Sequence, residues 1–193
     1  MIKETINAIT ANQLISEQFP KWADLPVIPV SNGGWDNRTF HLGQDKLLRF
    51  PSSARYAPQV IKERKWLPFL APQLSSHIPT PLGFGHPGYD YKWNWAIYNW
   101  ISGETAASYQ SLDKNTFAKQ LGAFLSELYK IPTDNGPISG EHNFHRGGNI
   151  LIYEEEAFLA LKILSGKLDV NIVTKIWKSG AVIKWCSSPV WVH

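Results

Sequence analysis

Cysteine is almost missing from this 193-residue chain, Cys186 being the single one. No disulfide framework can be built from it, which excludes the small secreted scaffolds and points to a reducing cytoplasm. Long apolar runs are missing too. Nothing approaches the roughly 20 residues that a membrane-spanning helix needs. The opening MIKETINAIT is polar from its third residue and has no apolar h-region, so neither a membrane partner nor a signal peptide is expected. Internal repeats and low-complexity segments are absent, which excludes a solenoid. Charge of one sign is never massed: 19 Lys and Arg face 16 Asp and Glu, for a net charge of +3. The one tight basic group, Lys62, Arg64 and Lys65, reads as the wet face of a helix, so no nucleic-acid partner is expected.

What is present in quantity is aromatic surface, with 9 Trp, 7 Tyr and 9 Phe. Such residues usually build cores; gathered at one point, as Trp93, Trp95, Tyr98 and Trp100 are, they could also stack on the ring of a ligand. Strand alternation would let only half of that cluster face one side.

Along the chain, Thr10 to Gln13 has the spacing of a capping box, and a short helix is expected from about Ala11 to Gln18, ending before Pro20. LPVIPVSNGG reads as a strand running into a glycine turn. RTFHLGQDKLLRF reads as two strands around a tight turn at Gly43 to Asp45. In APQVIKERKWLPFLAPQL the apolar residues Val60, Ile61, Trp66, Leu67 and Leu70 recur at helical spacing, with a stop or kink expected just before Pro68. IPTPLGFG and YKWNWAIYNWI look like two more strands joined through HPGYD. Beyond SGETAA the pattern turns helical, over Asp113 to Tyr129, Glu154 to Leu164 and Val170 to Trp177, and Pro189 to Val192 reads as a short buried strand. Strands with one intervening helix followed by a helical half imply an α+β chain of two lobes. Their junction is expected near residue 100, with a β-rich lobe over 1–100 and a helical one over 101–193.

Three features along the first lobe bear on chemistry. Gly33 and Gly34 sit in a turn between strands, where the lack of a Cβ lets backbone N–H groups approach a phosphate. Arg49 lies on a strand between Leu48 and Phe50, and Glu63 follows on the next helix, where its carboxylate could fix the direction of the cation. Elsewhere, His142 and His145 flank Asn143 and Phe144. A zinc site there would need ligands beyond the adjacent Glu141, and a surface loop satisfies the same pattern.

The segments GGWDNRTFHLGQDKLLRFP, YAPQVIKERKWLPFLAP, WAIYNWISGETAA and GEHNFHRGGN stand in an order that resembles the aminoglycoside phosphotransferase family. The resemblance runs from about Pro29 to His193 and implies a protein-kinase-like fold. It also implies transfer of a nucleotide γ-phosphate, from ATP or GTP with Mg2+, to a hydroxyl of an antibiotic or metabolite. Carried over by position, Gly33, Gly34, Trp35, Asp36 and Asn37 stand at the nucleotide-covering turn. Arg49 takes the place of the strand lysine that contacts phosphates, and Glu63 the place of its helix partner. Arginine in place of lysine alters that contact. Tyr98, Asn99, Trp100 and Ile101 correspond to the hinge, where the Trp100 C=O and Ile101 N–H would meet the base edge.

In this family a strand like PVWVH leads into a loop beginning His-Gly-Asp, whose aspartate deprotonates the acceptor. An asparagine and a second aspartate further on hold the metal. His193 matches the first residue of that loop. The resemblance therefore implies that the catalytic residues and Mg2+ ligands fall outside this chain, that it transfers little phosphate alone, and that its open C-terminal strand invites self-association. Glu104, Asp113 and Glu154 to Glu156 lack the spacing of a replacement metal pair. Two other functions compatible with these residues are a non-catalytic remnant that at most binds nucleotide and an aromatic-rich sugar-binding module.

Overall fold

Asn7 opens the first helix. Its Oδ1 accepts the Thr10 N–H at 2.9 Å, and α1 runs Ala8–Gln18 until Pro20 begins a 3-10 turn. The cap is thus Asn7 and not Thr10, because an asparagine oxygen satisfies an orphan N–H of the first turn equally well. The computed structural model in which this is seen describes residues 6–31, 33–184 and 188–192. Cys186 and His193 lie outside the described residues.

Five strands follow: β1 Val27–Pro29, β2 Asn37–Leu42, β3 Lys46–Pro51, β4 Pro81–Gly85 and β5 Trp95–Asn99. They form one antiparallel sheet in the order β1-β2-β3-β5-β4. The turn between β2 and β3 bends at Gly43, whose φ of 63° suits a residue without a Cβ. Register decides the two faces. Phe40 pairs with Leu48 and Leu48 with Ile97, and this row, with Leu42, Phe50 and Trp95, packs onto Ala11, Leu14 and Ile15 of α1. Thr39 pairs with Arg49 and Arg49 with Ala96, so these residues share the opposite face.

On that second face lies α2, Pro58–Leu70, with Val60 packed against Ala96 and Tyr98. Pro58 at its first turn lacks only an N–H that would have been orphaned. Of the stop or kink expected just before Pro68, the stop does not occur: the helix continues to Leu70 and passes into a 3-10 turn over Ala71–Gln73. With Pro68 in the last turn, the ring disturbs only the helix end.

The longest helix, α3, spans Lys114–Lys130 and is capped by Asp113, whose carboxylate accepts the Asn115 N–H at 3.0 Å. Glu127 on α3 accepts both the N–H and the hydroxyl of Ser75 at 2.8 Å, and these bonds hold its carboxyl below the usual range. α3 is part of the first of two compact units, which divide between Ile131 and Pro132. That division lies beyond the junction expected at residue 100.

The second unit holds α4, Glu154–Ile163, and α5, Val170–Ala181, with a 3-10 turn over Ile150–Tyr153 leading into α4. Three glutamates occupy the first turn of α4, where the helix dipole favours them. Phe144 and His145 both hold a left-handed φ of 56°, and the Tyr153 hydroxyl donates to the Phe144 carbonyl. Residues 188–192 are not a strand, contrary to the expectation for Pro189 to Val192. No strand among the described residues pairs with them, and the Trp191 indole N–H donates instead to the Pro132 carbonyl at 2.9 Å.

Candidate functional site

The part of this second face that α2 leaves uncovered carries an open cavity of about 440 Å³. It is lined by Asn37 and Thr39 of β2, Leu47 and Arg49 of β3, Pro79, and the turn residues Gly34, Trp35 and Asp36. These side chains meet because antiparallel partners share a face: Thr39 stands opposite Arg49, and Asn37 begins β2 where the glycine turn ends.

Arg49 and Glu63 come together as the sequence predicts. A single guanidinium nitrogen, Nη1, donates to both Glu63 carboxylate oxygens at 3.1 Å. The remaining N–H groups of Arg49 have no hydrogen-bond acceptor among the described residues, and Arg49 lines the cavity. A partly buried guanidinium with free donors beside an open cavity is an anion-binding arrangement.

Glu63 is held from two further directions. Gln59, one helical turn earlier on α2, donates to Oε1 at 3.4 Å, and the Tyr98 hydroxyl donates to Oε2. Tyr98 also lies beneath the Arg49 guanidinium, 5.2 Å from ring centroid to Cζ. Burial, and then the neighbouring Glu63 charge, push the Tyr98 hydroxyl far above its ordinary pKa, so it remains a donor. Tyr98 is fully buried. Its side chain therefore supports the ion pair from below and does not form a wall of the cavity.

The glycine turn is built differently from a phosphate loop that depends on left-handed glycines. Neither Gly33 nor Gly34 has a positive φ, and a Cβ on Gly34 would meet nothing within 4 Å. The fold itself leaves that space open. At the end of β5, Asn99 donates its N–H to the Thr80 carbonyl at 3.1 Å, and Trp100, just past the strand, donates to the Asp45 carbonyl at 2.8 Å. Past these ties, the Trp100 C=O and Ile101 N–H have no partner among the described residues.

The aromatic cluster does not form a stacking surface. Trp95 is fully buried on the α1 face, stacked on Phe50 with centroids 4.8 Å apart, and Trp93 packs against the same core. Trp100 lies against His41, centroids 4.3 Å apart. The exposed tryptophan beside the cavity is Trp35, at 71%. Among the described residues no three His, Cys, Asp or Glu side chains gather as metal ligands, at His142 and His145 or elsewhere. Sequence reasoning missed Ser52, which is fully buried and bonded to the glycine turn. Its only trace in the sequence is a polar residue directly after an apolar strand.

Comparison with known families gives one match, covering residues 27–186, to the phosphotransferase enzyme family. The chain belongs to this family. Among solved structures, the GDP complex of wild-type aminoglycoside 2'-phosphotransferase-IIIa is 24% identical with a TM-score of 0.64, over 78% of this chain and 51% of that one. The streptomycin–ATP complex of APH(2")-IIa is 22% identical with a TM-score of 0.50, over 85% of this chain and 50% of that one. At such identity the likeness is one of fold. This phosphotransferase-family chain spans about half the length of those relatives. Curated protein sequences give no match.

Proposed function

We propose that the first unit binds a nucleoside triphosphate, ATP or GTP, as the donor half of a small-molecule phosphotransferase. In this reading the phosphates lie over Arg49 under the turn Gly33, Gly34, Trp35, Asp36 and Asn37, and the base edge meets the Trp100 C=O and Ile101 N–H. The observation that carries it is the set of free Arg49 donors at the cavity, held in place by Glu63 and Tyr98. Family membership supports the same reading, as do relatives solved with GDP and with ATP. The acceptor class we propose is a hydroxylated small molecule of the aminoglycoside kind, as in the streptomycin complex of one relative. The described residues offer no magnesium ligand set, so none is assigned to them and no metal-dependent step is derived.

Binding of a base edge at the chain beyond β5 requires the Ile101 N–H. Ile101→Pro removes that donor without breaking any hydrogen bond among the described residues. It should weaken GTP or ATP binding by about 1 kcal/mol, the worth of one hydrogen bond. Isothermal titration of the folded variant tests this; undiminished affinity would place the base elsewhere.

A further inference from the structure

We propose that Ser52 is a positioning residue that sets the phosphate-facing peptide of the glycine turn, an inference that rests on the nucleotide reading above. Ser52 follows directly after β3, the strand that carries Arg49, and is completely buried. Its backbone N–H donates to the Asp36 carbonyl at 2.8 Å, which extends the β2–β3 ladder by one rung. Pro51, paired with Asn37, then falls at a non-bonded rung, where its missing N–H costs nothing. The ladder alone would account for any residue at position 52. The hydroxyl does something more: Oγ donates to the Trp35 carbonyl at 3.0 Å.

That second bond fixes the orientation of one peptide plane. In a trans peptide the C=O and the following N–H point in opposite directions. Holding the Trp35 carbonyl toward Ser52 turns the Asp36 N–H to the far side, and this N–H has no acceptor among the described residues. Asp36 and Trp35 both line the cavity that contains Arg49. One stretch of chain, β3 and the residue after it, thus presents the cation and, three residues on, the hydroxyl that orients a backbone donor. The neighbouring Ser53 is a natural control. It is also buried, yet its hydroxyl has no partner among the described residues.

The test compares Ser52→Ala, Ser52→Cys and Ser53→Ala with the parent chain by isothermal titration with GTP and ATP and, separately, with guanosine and adenosine. Ser52→Ala should weaken triphosphate binding about tenfold, the equivalent of one hydrogen bond to a charged ligand. Nucleoside binding should stay unchanged. Ser52→Cys, close in shape but a weak donor, should fall between. Ser53→Ala should match the parent for every ligand. Unchanged triphosphate affinity in Ser52→Ala, or equal loss for triphosphate and nucleoside, would overturn the proposal. Hydrogen exchange of the amide at position 52 in the ligand-free proteins reads the tether independently. It should speed up severalfold in Ser52→Ala and not in Ser53→Ala, and equal rates would overturn the tether. If the parent chain binds no triphosphate at all, the nucleotide reading fails, while the exchange rates still decide the tether.

Discussion

Trp95→Ala should destabilise the first unit by about 3–5 kcal/mol, the range for removing a large buried aromatic. That is a large part of the total stability of about 5–15 kcal/mol typical of a folded protein. Trp95 lies at the centre of the α1 face: it stacks on Phe50 at 4.8 Å, meets Phe19 edge-on at 5.5 Å, and donates its indole N–H to the His86 carbonyl at 3.0 Å. Alanine would leave a cavity between the two rings and take from the His86 carbonyl one of its two donors, the other being the Gln18 side-chain amide at 3.1 Å. Gly85, its cross-strand partner, is glycine for the same reason, since a Cβ there would come within 2.0 Å of the indole ring. Urea unfolding followed by circular dichroism measures the effect. Trp35→Ala, at an exposed position, should stay within about 0.5 kcal/mol of the parent. Equal midpoints for the two variants would refute this account of the core.

Glu63→Ala should act on stability and on binding together. It strips Arg49 of its counter-ion and leaves the buried Tyr98 hydroxyl without an acceptor. Breaking a buried pair from one side costs about 3–5 kcal/mol. The lower end applies here, because the Arg49 and Glu63 side chains keep 23% and 12% exposure. Triphosphate affinity should fall as well, because the freed guanidinium loses its direction toward the cavity. Glu63→Gln keeps an acceptor for Tyr98 and should recover much of the stability but less of the binding. A Glu63→Ala protein with the urea midpoint and GTP affinity of the parent would show that the triad of Arg49, Glu63 and Tyr98 is idle.

The sheet was readable from the sequence because its evidence is local. Alternation in NRTFHL and KLLRFP around a glycine turn specifies a hairpin, and register then follows from the period of two. The Arg49–Glu63 pair was readable as well, since a strand cation and a carboxylate on the next helix need only that helix to lie across the sheet. The role of Tyr98 and the tie from Ser52 were not readable. Both depend on which face a strand residue takes and on bonds across 35 and 17 residues of chain, which no local pattern encodes. The tryptophan cluster misled for a related reason: β5 is buried on both faces, so aromatic alternation there signals two cores and not a ligand platform. Pro189 to Val192 had the composition of a strand, but a strand exists only when it has a neighbour to pair with.

The central claim is that the first unit holds a nucleoside triphosphate by its phosphates over Arg49. The most direct measurement is an isothermal titration of the 193-residue protein and of Arg49→Ala with GTP and ATP. The account predicts saturable one-to-one binding to the parent chain, weakened by about 1–3 kcal/mol in Arg49→Ala, the scale of a charge-assisted hydrogen bond. No saturable binding to the parent, or the same affinity with and without Arg49, would contradict it.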